Sequence, residues 1–141
     1  MDAMQQAALQ AIGRKCVLVV EDNELNMKLF AAMITSLGYE VLQAANGLRA
    51  LDLAHRRHPD LIVMDLQLPD MSGLDVTHTL KAADDTREIP IIATTAYASL
   101  ADAQMIRASG CDAYMAKPIA ITEFLELVAS FIPQPVCAPA A

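Results

Sequence analysis

Five short apolar runs, each followed by a segment of helical periodicity, constrain this chain more than any other feature. The runs are "CVLVV" (16–20), "EVLQA" (40–44), "DLIVM" (60–64), "PIIAT" (90–94) and "DAYMA" (112–116). Runs one, three and four are almost uninterrupted, as expected of strands covered on both faces of a parallel sheet. Runs two and five are more mixed, as suits edges. Alternation of strand and helix calls for right-handed crossovers and a doubly wound α/β sheet. With five strands, the order 2-1-3-4-5 of the flavodoxin-like fold is expected. The 141 residues are one domain's worth, and a hydrophobic fraction of 55% supplies its core.

The intervening segments carry helix signals. Leu25, Leu29, Met33 and Leu37 repeat every four residues, with Phe30 and Ile34 widening the stripe, and Gly38 ends that helix. Leu48, Ala50, Leu51 and Ala54 mark a second helix, stopped before Pro59. Ser72 to Asp75 and Ser99 to Asp102 fit a capping-box pattern at the starts of the third and fourth. Gly110 closes the fourth, and a fifth follows Pro118 with Phe124, Leu125, Leu127, Val128 and Phe131. Residues 1–14 form an extension with room for a helical turn or two, the domain runs from 15 to 132, and the Pro/Ala-rich 133–141 is expected to be a disordered tail.

The net charge of −7 argues against general binding to nucleic acid or anionic membrane, both of which want a basic face. No apolar run approaches the roughly 20 residues that span a bilayer. Cys16, Cys111 and Cys137 lack ligand spacing and read as reduced structural thiols of a cytoplasmic protein. The N-terminal segment lacks the pattern of a secretory signal. His55, His58 and His78 read as surface residues, and Asp70, Asp84 and Asp85 as turn and surface acids.

Ligands of doubly wound sheets bind at the carboxyl ends of the strands, beside the point where the strand order reverses. Strand one ends in Glu21 and Asp22, strand three in Asp65, strand four in Thr94 and Thr95, strand five in Lys117. Adjacent carboxylates repel unless a cation joins them, and a hard divalent ion such as Mg²⁺ takes oxygen ligands. Asp22 and Asp65 are the expected direct ligands, with the backbone carbonyl of Gln67 as a third and Glu21 acting through water. The surrounding residues suit phosphoryl transfer. A carboxylate can attack phosphorus to give an aspartyl phosphate, for which Asp65 at the mouth of the central strand is the candidate. The Lys117 ammonium can pair with one phosphoryl oxygen and the Thr95 hydroxyl can donate to another.

The segments "VVEDN", "VMDLQLPDMSG", "TTAYA" and "YMAKPI" resemble the four signature segments of response-regulator receiver domains, the CheY-like superfamily. The spacing agrees: 43 residues from Asp22 to Asp65, 30 on to Thr95 and 22 on to Lys117. The segments "VEDNELNMKLF", "QLPDMSGLDVT" and "GCDAYMAKPI" are most similar to single-domain receivers of bacterial cell-cycle and division control. The resemblance implies that a histidine kinase or phosphotransfer protein donates a phosphoryl group to Asp65 with Mg²⁺ bound. Thr95 then moves toward that group, Tyr114 turns inward behind it, and a changed surface engages a downstream regulatory protein such as a kinase. It implies a monomer or weak dimer that turns over only its own phosphoryl group and is no enzyme for outside substrates.

Two other readings compete. One is a receiver domain cut from a hybrid kinase or larger regulator. The other is a phosphatase of the haloacid-dehalogenase type, which resembles DxDx(T/V); here Gln67 stands where its second Asp would be. A flavodoxin is weaker, because no Ser/Thr/Gly-rich phosphate loop follows strand one. The kinase-docking surface is expected on the first helix, which starts beside the acidic pair, with Asn26 and Met27 as its exposed contacts.

Overall fold

The computed structural model describes residues 15–96 and 99–132. The expected extension 1–14 and tail 133–141 lie outside the described residues. Five parallel strands, β1 (Cys16–Val20), β2 (Glu40–Ala44), β3 (Leu61–Asp65), β4 (Ile91–Thr95) and β5 (Ala113–Ala116), form one sheet in the order 2-1-3-4-5. Five helices connect and follow them: α1 (Glu24–Ser36), α2 (Gly47–Arg57), α3 (Gly73–Ala82), α4 (Leu100–Ala108) and α5 (Ile121–Phe131).

Strands β3, β4 and β5 each begin one residue later than their apolar runs. Asp60 stands just before β3, where its N–H donates to the Cys16 carbonyl at 2.8 Å and its carboxylate accepts the Cys16 N–H at 2.8 Å. Pro90 has no N–H to give a ladder. Asp112 accepts the Ile91 N–H at 2.8 Å and the Lys81 ammonium at 2.9 Å. At the other end, the one-residue shift makes Asp65 and Thr95 the last residues of their strands, with Asp65 in register with Thr94.

The pleat divides the core in two. Val17, Val19, Val63 and Ile92 face α1 and α5, where they meet Phe30, Ile34, Phe124 and Val128. Leu18, Val20, Ile62, Met64 and Ile91 face α2 and α3, meeting Ala50, Leu53, Val76 and Leu80. Phe30 and Phe124 tie α1 to α5 with ring centroids 5.2 Å apart in a tilted pair.

The apolar stripe of α1 differs from its sequence reading. Its buried residues are Met27, Phe30, Met33 and Ile34, whereas Leu25 is 75% and Leu29 44% exposed. A four-residue step overshoots a full turn by about 40°. The row Leu25–Leu29–Met33–Leu37 therefore winds from the solvent side to the core side rather than lying along one face. The cap of α3 also differs. Ser72 accepts the Leu74 N–H at 3.2 Å, and the reciprocal box with Asp75 is replaced by a β-bridge from Ser72 to Gln67. At α4 the full box forms between Ser99 and Asp102.

Tyr39 locks the carboxyl end of α5 to the turn before β2. Its ring is buried, and its hydroxyl donates to the Ile132 carbonyl at 2.9 Å. Tyr39→Phe leaves that carbonyl without its donor and should cost about 1–2 kcal/mol in urea denaturation. An unchanged midpoint would show that the bond adds nothing net.

Candidate functional site

The carboxyl ends of β1, β3, β4 and β5 converge on one rim. Glu21 follows β1 directly and its N–H donates to the Ala44 carbonyl, which continues the ladder to β2. Asp65 closes β3, Thr95 closes β4, and the Lys117 N–H donates to the Thr95 carbonyl at 2.7 Å, which holds the lysine beside the strand ends. The Lys117–Pro118 peptide is cis. Glu21 and Asp65 are each only 2% exposed, Thr95 is buried, and Asp22 is exposed to solvent.

The Lys117 ammonium lies 2.9 Å from Glu21 Oε1 and 3.3 Å from Asp65 Oδ2. The remaining oxygens meet backbone donors: Glu21 Oε2 accepts from Asn23 N–H at 3.2 Å, and Asp65 Oδ1 from Gln67 N–H at 3.0 Å. Glu21, Asp22 and Asp65 each offer an oxygen within 4.8 Å of the others. Three carboxylates thus cluster beside the Lys117 ammonium, which pairs with two of them.

That imbalance falls unevenly. Burial pushes the Asp65 carboxyl up and the Glu21 carboxylate adds to this, against the Gln67 N–H and Lys117, leaving it at about 6. Burial also raises Glu21, but hydrogen bonds from Lys117 and its neighbours outweigh it and hold the group below its ordinary range. Burial lowers Lys117, and its two carboxylate partners more than reverse this. The surplus negative charge is therefore least well balanced at Asp65. An oxygen-only donor set with that surplus, open to water at Asp22, fits a hard divalent cation. Gln67 lies two residues beyond Asp65, where its backbone borders the cluster.

Tyr114 sits in β5, half-buried. Ala113 and Met115 pack toward α1 and α5, so the pleat turns Tyr114 to the opposite face. Ile92 packs toward α1 and α5, which puts Thr95 on the same face as Tyr114. Tyr114 is in register with Ala93 and Thr95 with Ala116, so the two side chains are diagonal neighbours across adjacent strands. Beside Thr95 lies a cleft of about 200 Å³ lined by Leu66, Leu74, Met105 and Ile106 among others.

Met27 requires correction as a surface contact. It is buried against the core because positions 27, 30 and 34 of α1 face the sheet together. Asn26 is half-buried. It lines, with Leu29, Phe30, Lys117, Pro118 and Ile119, a groove of about 440 Å³ next to the acidic cluster. Leu25 and Leu29 are the exposed large apolar residues of this helix, a consequence of helix phase that a four-residue count does not reveal. Asp70 is an exposed turn acid, as its sequence context leads one to expect, but it is not without partners. Its carboxylate accepts the Gly47 N–H at 2.8 Å and the Leu48 N–H at 3.0 Å, and nothing local in the sequence signals that partner.

Residues 17–129 match the response regulator receiver domain family. The polar-differentiation response regulator DivK of Brucella anthropi is 53% identical over 118 residues, covering 84% of this chain and 96% of that protein. Its counterpart from Brucella abortus is 52% identical over the same length. Among solved structures, the receiver domain of a sensor histidine kinase from Pseudomonas aeruginosa, with a magnesium ion coordinated in its active site cleft, superposes with a TM-score of 0.78 at 35% identity, covering 84% of this chain and 98% of that one. Chemotaxis protein CheY4 of Vibrio cholerae gives a TM-score of 0.80 at 25% identity, covering 85% and 100%.

The raised pKa of Asp65 has a direct consequence for stability. A carboxyl that binds its proton more tightly in the folded chain loses stability as pH rises from its ordinary value of 3.8 through about 6. Without metal, Asp65→Asn should therefore stabilise the fold by about 1–2 kcal/mol at pH 7.5, after allowance for screening at the rim, with the gain vanishing below about pH 4. Thermal melts of both forms across that range check the sign. A variant less stable at every pH would contradict it.

Proposed function

The chain belongs to the response-regulator receiver family, and from that premise we propose that it accepts a phosphoryl group on Asp65 from a phosphohistidine of a histidine kinase or phosphotransfer protein. The observation that carries this reading is a buried carboxylate at the end of the central strand, 3.3 Å from the Lys117 ammonium and clustered with Glu21 and Asp22. An Asp65 oxygen attacks phosphorus, the P–N bond to the donor imidazole breaks, and a P–O bond forms. Asp22, Asp65, the Gln67 carbonyl and, through water, Glu21 would hold Mg²⁺, which when bound neutralises charge on the phosphoryl oxygens. Lys117, already shared between Glu21 and Asp65, turns part of its pairing to a phosphoryl oxygen. The Thr95 hydroxyl donates to another, and Tyr114, its diagonal neighbour, follows it inward. Attack of water on phosphorus releases phosphate and restores the carboxylate. The chain catalyses only these steps on itself.

The output is a protein–protein contact with a downstream regulator such as a kinase, in control of the cell cycle and division. Identity of 53% over 96% of a DivK protein supports this role over that of a hybrid-kinase receiver, for which the similarity is 35% to the Pseudomonas domain. Among the described residues no helix is long and apolar enough to cross a membrane. Action in the cytoplasm, as a monomer or weak dimer, is part of the same proposal. The acidic charge suits a protein partner rather than nucleic acid.

Incubation with acetyl phosphate and Mg²⁺ should add one phosphoryl group, and Asp65→Asn should abolish it. Full labelling of the variant would end the assignment. In a Mg²⁺ titration, Asp22→Ala should weaken binding more than Glu21→Ala, since Glu21 is already engaged by Lys117 and Asn23; equal losses would undo that ranking. For docking, Asn26→Ala with Leu29→Ala should cost about 1–3 kcal/mol of kinase binding, roughly 5- to 150-fold. Phosphotransfer from the kinase should slow while labelling by acetyl phosphate is unchanged. Equal slowing of both would mean that the groove shapes the acceptor site instead.

A further inference from the structure

The segment between β3 and α3, residues 66–72, is closed on itself and anchored at its tip. Asp65 Oδ1 accepts the Gln67 N–H, Gln67 pairs with Ser72 in an antiparallel bridge, and the Gly73 N–H donates to the Leu66 carbonyl at 3.1 Å. The base of the loop has no slack. A Cβ on Gly73 would come within 2.3 Å of the Asp65 carbonyl oxygen and 2.6 Å of Leu66 Cα.

The tip reaches a different helix. The two Asp70 oxygens accept the Gly47 and Leu48 N–H groups, two of the unpaired donors that open α2. Beside them the Met71 side chain lies against Gly47, where a Cβ would meet its Cγ at 2.3 Å. The helix has a cap of its own as well: Asn46 Oδ1 accepts the Arg49 N–H at 2.8 Å. The N-terminus of α2 thus carries one cap that touches only that helix and another that ties the helix to the loop. The Gly47 N–H foremost among its donors holds the Asp70 carboxyl below its ordinary range, in line with an ionised cap at the positive end of a helix.

We propose that Asp70 is a positioning residue for the acceptor site, fixing the 66–72 loop to α2 so that Gln67 keeps its backbone aligned on Asp65. The proposal rests on the reading of Asp65 as phosphoacceptor. Asp70 touches none of the reacting groups and acts through the loop. Gln67 is the link, because its N–H orients one Asp65 oxygen while its bridge to Ser72 transmits the position of the tip.

Two caps on one helix supply the control. Asp70→Ala and Asn46→Ala each remove a cap from α2 and should lower its stability to a similar degree, but only the first releases the loop. In the metal-free chain, Asp70→Ala should shift the Gln67 amide resonance and speed its hydrogen exchange about tenfold, within the range expected for a lost cap. Asn46→Ala should leave that amide as it is. Asp70→Asn retains an acceptor for one of the two N–H groups and should fall between; it carries the comparison if the alanine variant does not fold. With Mg²⁺ added, Asp70→Ala should bind about tenfold more weakly by calorimetry, the lower end of losses seen for residues supporting metal ligands. An unchanged Gln67 amide in Asp70→Ala, or an equal change in Asn46→Ala, overturns the positioning role. Failure of the unsubstituted chain to bind Mg²⁺ or take up phosphate would instead overturn the acceptor-site reading, which the amide comparison does not require.

Discussion

Three carboxylates, each offering an oxygen within 4.8 Å of the others, with the Lys117 ammonium paired to two of them, set the terms for the rest of this molecule. Such a cluster repels itself and resists burial, so the fold must hold it in place against its own electrostatics. The sheet does so. Asp65 is fixed by its place in the ladder between β1 and β4, Glu21 by a ladder bond to Ala44, and Lys117 by a bond to Thr95. Apolar layers pack those strands on both faces of the sheet. The result is a carboxylate that gains from any positive partner.

The distribution of that strain is specific. Lys117 makes its shorter contact with Glu21, which therefore stays ionised, and Asp65 receives the weaker share. Glu21 thus holds the ammonium in readiness beside the group that is least satisfied. The exposed Asp22 leaves the cluster open on one side to water and ions.

Most of this was legible in the sequence because it depends on short periods. Uninterrupted aliphatic runs marked β1, β3 and β4, and the first polar residue beyond each run marked the rim. The starts of β3, β4 and β5 lie one residue beyond the starts of their runs, because Asp60 and Asp112 turn their carboxylates to the Cys16 and Ile91 N–H groups and Pro90 has no N–H to give. The phase of α1 was misread because a four-residue count drifts around the helix, which exchanged buried Met27 for exposed Leu29. The contacts that escaped the sequence altogether join distant segments. Tyr39 reaches Ile132 across 93 positions, and Asp70 reaches Gly47 across 23. Neither carries a local signature, since a tyrosine after a glycine and an aspartate after a proline are ordinary turn residues.

The bond between Tyr39 and Ile132 also gives the molecule a polarity. Tyr39 precedes β2, and the Lys15 carbonyl accepts the Glu40 N–H at 2.8 Å, so the described chain enters and leaves at the amino ends of the strands. The acids stand at the opposite ends. A unit wired in this way meets whatever adjoins its described ends at one pole and presents its reactive groups at the other. Its attachment and its chemistry are separated by the length of the sheet, which makes the same scaffold portable between free-standing and tethered settings.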